Sequence, residues 1–427
     1  MARRLRSANR RLLREINATL ILGIVREHGP IARTDIATLS GLSPATVSGI
    51  TNDLIAQGLI YEQEAGASTG GRPPILLSLN RQAGLVLGAK LTEREIVSAL
   101  IDLDAAIVDQ QTKRLPPDPG PEQVVAAIAD LVSDLRSRHA RQRIFGLGLG
   151  MAGVIDRRAG VCRFSPFFRW RDVPLGPLLA ERLGLPVILD NDVNTLTLAE
   201  QWFGTGSGVS DFLVVTLGRG VGMGMILNGQ LYRGGCGGAG EFGHITLDPE
   251  GPTCDCGKHG CLEALVSNPA LLRQARAMVG HDVDFDEAVA RARDGDGALQ
   301  AIFAGAGRRL GLALSHLVNV FNPRLVIVGG EGARAADLFL PALRETLAAH
   351  CFDGFFDDLQ LVVDPWGDDA WARGAAGLML EEIFRPTLYR DEERPAASLT
   401  TAHAQEPPDK EGGMQTRPGL VRRQGHQ

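Results

Sequence analysis

No apolar run in this 427-residue chain approaches the roughly 18 residues that a membrane-spanning helix needs. The longest patches, such as Leu325-Val326-Ile327-Val328, have the length of buried strands. No secretory leader is evident, and of only six cysteines three (Cys162, Cys236, Cys351) are scattered. A disulfide framework is therefore disfavoured, and the expected setting is the cytoplasm, without a membrane partner. Hydrophobic residues at 44% and charged residues at 22% are those of an ordinary soluble protein, long enough for roughly two or three domains.

The charge is unevenly placed. Residues 1–82 carry a net +4 and the remainder a net −10. Arg3, Arg4, Arg6, Arg10, Arg11 and Arg14 all precede the first acid, Glu15. A basic front on an acidic body suits a polyanion, although an arginine-rich terminus can also be merely solvated. Apolar spacing predicts a helix from about Asn9 to Glu27, stopped by His28-Gly29-Pro30. A short helix over 34–39 follows, with Arg33 or Thr34 near its cap, then a tight turn at Ser40-Gly41-Leu42. Ser43 as N-cap and Pro44 as first residue open a third helix that runs to Gly58. This is helix-turn-helix spacing. The exposed face of the third helix offers Thr46, Ser48 and Asn52, short polar side chains that approach base edges, and Asn52 suits adenine. Arg72, in the glycine-rich segment after Tyr61, suits a phosphate or minor-groove contact at the tip of a winged hairpin. The alternative is a three-helix packing module that binds no nucleic acid.

Over residues 83–385 strand-like and helix-like segments alternate, which argues for an α/β fold, with two similar halves flanking a cleft. Asp190-Asn191-Asp192 closes a strand at the end where α/β sheets meet ligands. There Asp192 is either a general base for a sugar hydroxyl or a helix cap. The alternate glycines of Gly218-Arg219-Gly220-Val221-Gly222-Met223-Gly224 either admit an anion or allow a tight hairpin. His244, Cys254, Cys256 and Cys261 fall in the order H-x9-C-x-C-x4-C. One imidazole and three thiolates form a closed tetrahedral set, expected to hold structural zinc and no catalytic water; a cysteine-rich loop that binds nothing is the alternative. Gly257 and Gly260 allow the sharp turns this requires. Glu241 and Glu263 bracket the set, as ligand contacts or as surface charge and helix caps. From about Pro386 the tail (386–427) lacks periodicity and is expected to be disordered.

Together these residues resemble the ROK family of sugar kinases and sugar-responsive repressors over nearly the whole chain. The resemblance is carried by Leu189–Asn194, Val215–Gly222, Gly240–His244, Cys254–Glu263, Trp170–Leu175 and Asn322–Gly330. It implies a winged helix-turn-helix over 1–82 and a two-lobed, actin/hexokinase-like (ribonuclease H-like) body over 83–385. It implies that Asn191, Asp192, Glu241, His244 and Glu263 contact sugar hydroxyls. Two departures set the branch. The kinases carry Asp-x-Gly-Gly-Thr on their first strand, where this chain reads Gly88-Ala89-Lys90-Leu91-Thr92-Glu93. Threonine and glutamate there crowd and repel phosphates, and Arg219 replaces a small hydroxyl residue in the second phosphate loop. The expectation is a non-enzymatic repressor with Asp192 as a vestigial base. Its partners would be double-stranded operator DNA and a sugar effector, and it would act as a homodimer or a dimer of dimers. An active sugar kinase and a protein-docking module are the rival readings.

Overall fold

The computed structural model describes residues 10–63, 74–364 and 366–384; Arg72, the Ser68–Pro73 linker and the tail lie outside the described residues. α1 (Arg10–His28) buries Ile21, Leu22 and Val25 along one face. β1 (Ile31–Ala32) leads into α2 (Arg33–Ser40), whose cap is Ala32, with Arg33 and Thr34 as its first two residues. Gly41 takes φ 66°, the left-handed turn that glycine adopts without steric cost. Ser43 then caps α3 (Pro44–Ala56), its Oγ accepting the Thr46 amide at 3.2 Å. β2 (Ile60–Gln63) and β3 (Leu76–Leu79) pair antiparallel as the wing, and β1 completes a sheet of order β1-β3-β2. The front of the chain is a winged helix-turn-helix.

The body repeats one plan twice. In the first lobe β4 (Leu85–Leu91), β5 (Glu95–Ile101) and β6 (Ile107–Arg114) form an antiparallel meander, and α4 (Pro121–Arg138) leads to β7 (Ile144–Met151). A side sheet of β8 (Val154–Asp156), β9 (Val161–Ser165) and β10 (Trp170–Val173) follows, then α5 (Leu175–Leu183), β11 (Val187–Asn191) and α6 (Asp192–Phe203). In the second lobe β12 (Phe212–Leu217), β13 (Val221–Leu227) and β14 (Gln230–Leu231) form the meander. The cysteine loop, α7 (Leu262–Val266), α8 (Asn268–Val279), α9 (Phe285–Arg293) and α10 (Gly297–Phe321) then lead to β15 (Leu325–Gly329), and α11 (Ala336–His350) to β16 (Gln360–Asp364). The sheet orders β6-β5-β4-β7-β11 and β14-β13-β12-β15-β16 are the same sequence of third, second, first, fourth and fifth strand. In both, the first three strands are antiparallel and the last two parallel to the first, the ribonuclease H-like arrangement.

α12 (Asp368–Phe384) returns to the first lobe and lies across β4, β5 and β7. Gly88 and Gly148 admit it: a Cβ there would fall 1.9 Å from the Ala372 carbonyl oxygen and 1.8 Å from that of Ala375. Strand alternation sorts the core into layers. Leu85, Leu87 and Ala89 face α4 and α5, while Val86 joins the α6–α12 layer. Phe212 and Val214 face α6, and Leu213 and Val215 face α10. Each such buried side chain contributes about 1.5–3 kcal/mol. The α6–α12 cluster continues without a break into Ile21, Leu22 and Val25 of α1, so the head packs on the body. The Arg26 guanidinium lies 4.0 Å over the Trp202 ring and 5.1 Å from that of Phe384.

Candidate functional site

The turn from β11 into α6 is built around a buried carboxylate. Asp190 Oδ1 accepts the Asn191 amide and the Asn194 side-chain amide, both at 2.9 Å. Asn191 is the N-cap of α6: its Oδ1 accepts from the Val193 and Asn194 amides, and its Nδ2 donates to the Gly153 carbonyl at 3.1 Å. The capping role therefore belongs to Asn191, which keeps one amide hydrogen for another partner. Asp192 stands at the first helical position, half-buried. Burial pushes its carboxyl up, and the Lys90 ammonium opposes that shift. Lys90 itself rests 3.7 Å over the Trp371 ring.

Across the cleft, the alternate glycines serve a hairpin and a helix contact. The Gly218 amide donates to the Gly220 carbonyl at 3.0 Å, and the Val221 amide donates to Glu263 Oε2 at 3.0 Å. A Cβ on Gly222 would meet Val193 at 2.6 Å, and one on Gly224 would meet Thr197 Oγ1 at 1.9 Å, so these glycines seat α6 on β13. At the hairpin tip Arg219 lies 4.2 Å over Phe167 and forms a close ion pair with Glu93 of the first lobe. A segment from Arg233 to Gly240 then delivers Glu241, with Nε2 of His244 at 3.8 Å from its carboxylate. Burial raises the Glu241 carboxyl, His244 lowers it, and the Glu263 and Asp192 charges raise it further. Asp192, Glu241 and Glu263 thus lie near enough for their charges to act on one another, although 71 positions separate the first from the last.

The metal-ligand set assembles as the spacing predicted. His244, Cys254, Cys256 and Cys261 place one donor atom each within 4.8 Å of all the others. His244 Nδ1 is 3.6 Å from Cys254 Sγ, and Cys256 Sγ is 3.6 Å from Cys261 Sγ. A tetrahedral ion with Zn–S of about 2.3 Å and Zn–N of about 2.0 Å spaces its donors about 3.5–3.8 Å apart, so the donor set fits zinc. Burial pushes the Cys254 thiol up to about 12. Gly257 (φ 87°) and Gly260 (φ 62°) make the turns, and a Cβ on Gly260 would fall 1.4 Å from the Asp248 carbonyl oxygen.

On the head, Ser48 and Asn52 are exposed on α3, whereas Thr46 is half-buried, with its hydroxyl 2.8 Å from that of Ser43. From the sequence Arg33 is a candidate only for the cap of the second helix, yet it makes contacts across the head. Its Nε donates to Thr51 at 3.0 Å, and its Nη2 reaches Glu62 of the wing at 2.7 Å and Asn52 Oδ1 at 3.5 Å. It ties α2, α3 and the wing together beside Asn52. Absent from the sequence reading is a buried ion cluster behind the Asp192 turn. Arg233 Nε donates to Asp190 Oδ2 at 2.7 Å, and Arg157 Nη1 donates to Glu381 at 2.8 Å and lies 3.7 Å from Asp190.

Comparison with known proteins gives the following. The family model described as "ROK family" matches residues 86–382, and that described as "MarR family" matches residues 15–64. The chain is 31% identical over 391 residues to the xylose repressor of Caldicellulosiruptor bescii, covering 88% of this chain and 98% of that one. A crystal structure of a ROK family transcriptional regulator, a homolog of the Escherichia coli MLC protein, superposes with a TM-score of 0.81 at 27% identity, covering 88% of this chain and 98% of the other. A ROK family glucokinase from Streptomyces griseus, solved with glucose and AMPPNP, gives a TM-score of 0.61 at 30% identity, covering 69% of this chain and 99% of the other.

Proposed function

The chain belongs to the ROK family, and from that premise we propose that it is a DNA-binding transcriptional repressor of carbohydrate-metabolism genes whose operator affinity is set by a sugar in the interlobe cleft. The observation that carries this reading is the union, in one packed chain, of a winged helix-turn-helix with a ROK body, matched over 88% of its length by a relative named as a repressor. In this reading residues 1–82 are the DNA-binding head and linker, 83–385 the effector domain and 386–427 a tail. Ser48, Asn52, Thr46 and Arg72 face the operator, with Thr46 acting through its contact with Ser43. Asp192, Glu241, Glu263 and His244 accept or donate hydrogen bonds to sugar hydroxyls, and Asn191 adds its one remaining amide hydrogen. His244, Cys254, Cys256 and Cys261 hold a structural zinc, which staples the loop that joins Glu241 to Glu263. Two copies on a pseudo-palindrome follow from helix-turn-helix docking, alone or as a dimer of dimers. With DNA as partner, its place of work is the cytoplasm.

The kinase-like neighbours raise a second reading, an ATP-dependent sugar kinase, which the half-buried Asp192 favours. Against it stand Glu93 and Arg219. These residues replace the small residues of the two phosphate loops and pair with each other across the cleft mouth, where a nucleotide's phosphates would need amide donors and Mg²⁺. The test is titration of the zinc-loaded chain against its own upstream DNA at two salt concentrations, with and without D-xylose, D-glucose or N-acetyl-D-glucosamine. Sequence-selective, salt-sensitive binding that one free sugar shifts supports the repressor. Sugar-dependent ATP turnover abolished by Asp192→Asn, without operator binding, reverses the order of the two readings.

A further inference from the structure

Behind the Asp192 turn lie four charged side chains contributed by four separate segments. Asp190 is the penultimate residue of β11, Arg157 follows β8, Glu381 lies in α12, and Arg233 follows β14 in the second lobe. Their side chains are between 3% and 22% exposed, so the charges must answer one another. Asp190 spends Oδ1 on the Asn191 amide and the Asn194 side chain, which shape the turn that presents Asp192. It spends Oδ2 on Arg233 Nε, at 2.7 Å. Arg233 Nη2 lies 3.5 Å from Glu381.

Arg233 is also the first residue of the segment that ends at Glu241. That segment is a closed loop, with the Ala239 amide donating to the Arg233 carbonyl at 3.2 Å. It is pinned further along, because Gly237 and Gly240 sit so close to the Ile155 and Met223 carbonyls that a Cβ would come within 2.2 and 2.0 Å of them. Arg233 and Glu241 are therefore the two ends of one closed, tightly seated loop. Buried ion pairs of this kind add little stability over apolar packing, so stability alone accounts poorly for four of them.

We propose that Arg233 is a positioning residue of the effector site: through Asp190 it holds the Asp192 turn of one lobe in register with the Glu241 loop of the other. This rests on the sugar-binding reading above. The ligand's two sets of hydroxyl partners come from opposite lobes, and Arg233 sets the spacing between them.

The experiment uses the full zinc-loaded chain as wild type, Arg233→Met and Arg233→Lys. Calorimetric titration with D-xylose, D-glucose and N-acetyl-D-glucosamine is run beside operator titration without sugar. Arg233→Met is expected to weaken binding of the responding sugar by about tenfold, within the range of coupling between groups that share one charge network. Its ligand-free operator affinity stays within about twofold, and Arg233→Lys, which keeps the charge, recovers most of the sugar affinity. Unchanged sugar affinity in Arg233→Met overturns the proposal, as does a parallel loss of sugar and operator affinity, which would make Arg233 a general stabiliser. If wild type binds none of the three sugars, the sugar-binding reading fails. The proposal is then decided by amide exchange without ligand: faster exchange at both 191–195 and 233–241 in Arg233→Met, with α10 unchanged, supports it, and no change at either segment overturns it.

Discussion

Replacing Arg26 by alanine is expected to loosen the head from the body while leaving the Asp192 turn and the exposed side of α3 untouched. The Arg26 guanidinium carbon lies 4.0 Å from the Trp202 ring centroid, 5.1 Å from that of Phe384 and 6.0 Å from that of Phe203. A cation over an aromatic face contributes about 0.5–1 kcal/mol when exposed and about 2 kcal/mol when desolvated. Arg26 is half-buried, so about 1–1.5 kcal/mol is the appropriate figure, or roughly five- to twelvefold in the equilibrium between docked and undocked head. Trp202 belongs to the last turn of α6, whose first residue is Asp192, so a signal passing from cleft to head along α6 ends at this contact. Amide exchange over residues 21–26 reads the docking directly and is expected to quicken by that factor. Fluorescence-anisotropy titration of operator reads the consequence: the ratio of operator Kd values with and without saturating sugar moves toward one, while sugar affinity holds within about twofold. Arg26→Lys should fall between alanine and wild type. Unchanged exchange over 21–26 together with an unchanged Kd ratio would refute the reasoning, because the ring contacts would then add nothing to the apolar packing that seats the head.

Two further outcomes are expected. Gly88→Ala places a methyl 1.9 Å from the Ala372 carbonyl oxygen and 2.4 Å from the Ala376 amide nitrogen, backbone atoms that cannot rotate away. The cost should reach about 3 kcal/mol, lowering Tm by roughly 6–12 °C, and an unchanged melting curve would mean that α12 does not lie directly on β4. For the metal cluster, the Cys254 thiol, pushed up to about 12 without an ion, keeps its proton at neutral pH, so zinc must displace it. Zinc binding should release about two to three protons per ion and tighten as pH rises toward the thiol range; chelation should lower Tm, and Cys254→Ser should abolish that zinc-dependent difference. Calorimetry in buffers of different ionisation enthalpy measures the proton count, and a count near zero would rule out thiolate ligation.

Local signals carried much of this protein into view. Ser43-Pro44, Gly41 and the apolar spacing of α1 and α3 act within a few residues, through caps, φ preference and helix periodicity, and each appears where the sequence placed it. The His244 and cysteine set was legible for the same reason: its four ligands lie within 18 positions and one turn-rich loop can gather them. The β12–β13 hairpin and the β15 strand also matched, being continuous apolar runs with clear ends. The short side sheet and α12 carry no clear signal in the sequence. α12 reads as weakly amphipathic because it is covered on several sides by β4, β7, α6 and α1, so no polar stripe marks its period. The cap reading falls on Asp192, whereas Asn191 caps the helix: both types can do so, and Asn191 is held there by its Oδ1 contacts to the Val193 and Asn194 amides and by the Gly153 carbonyl. The sequence by itself determined the kinds of chemistry present, the metal set, the carboxylates of the cleft and the cap-and-turn grammar of the head. Only the tertiary structure decided which groups answer one another: Glu93 with Arg219, Arg33 beside Asn52, and Arg157 with Glu381 across 224 positions. A buried or cross-cleft charge must find its partner wherever the fold brings one, and that distance in space leaves no trace in the spacing along the chain.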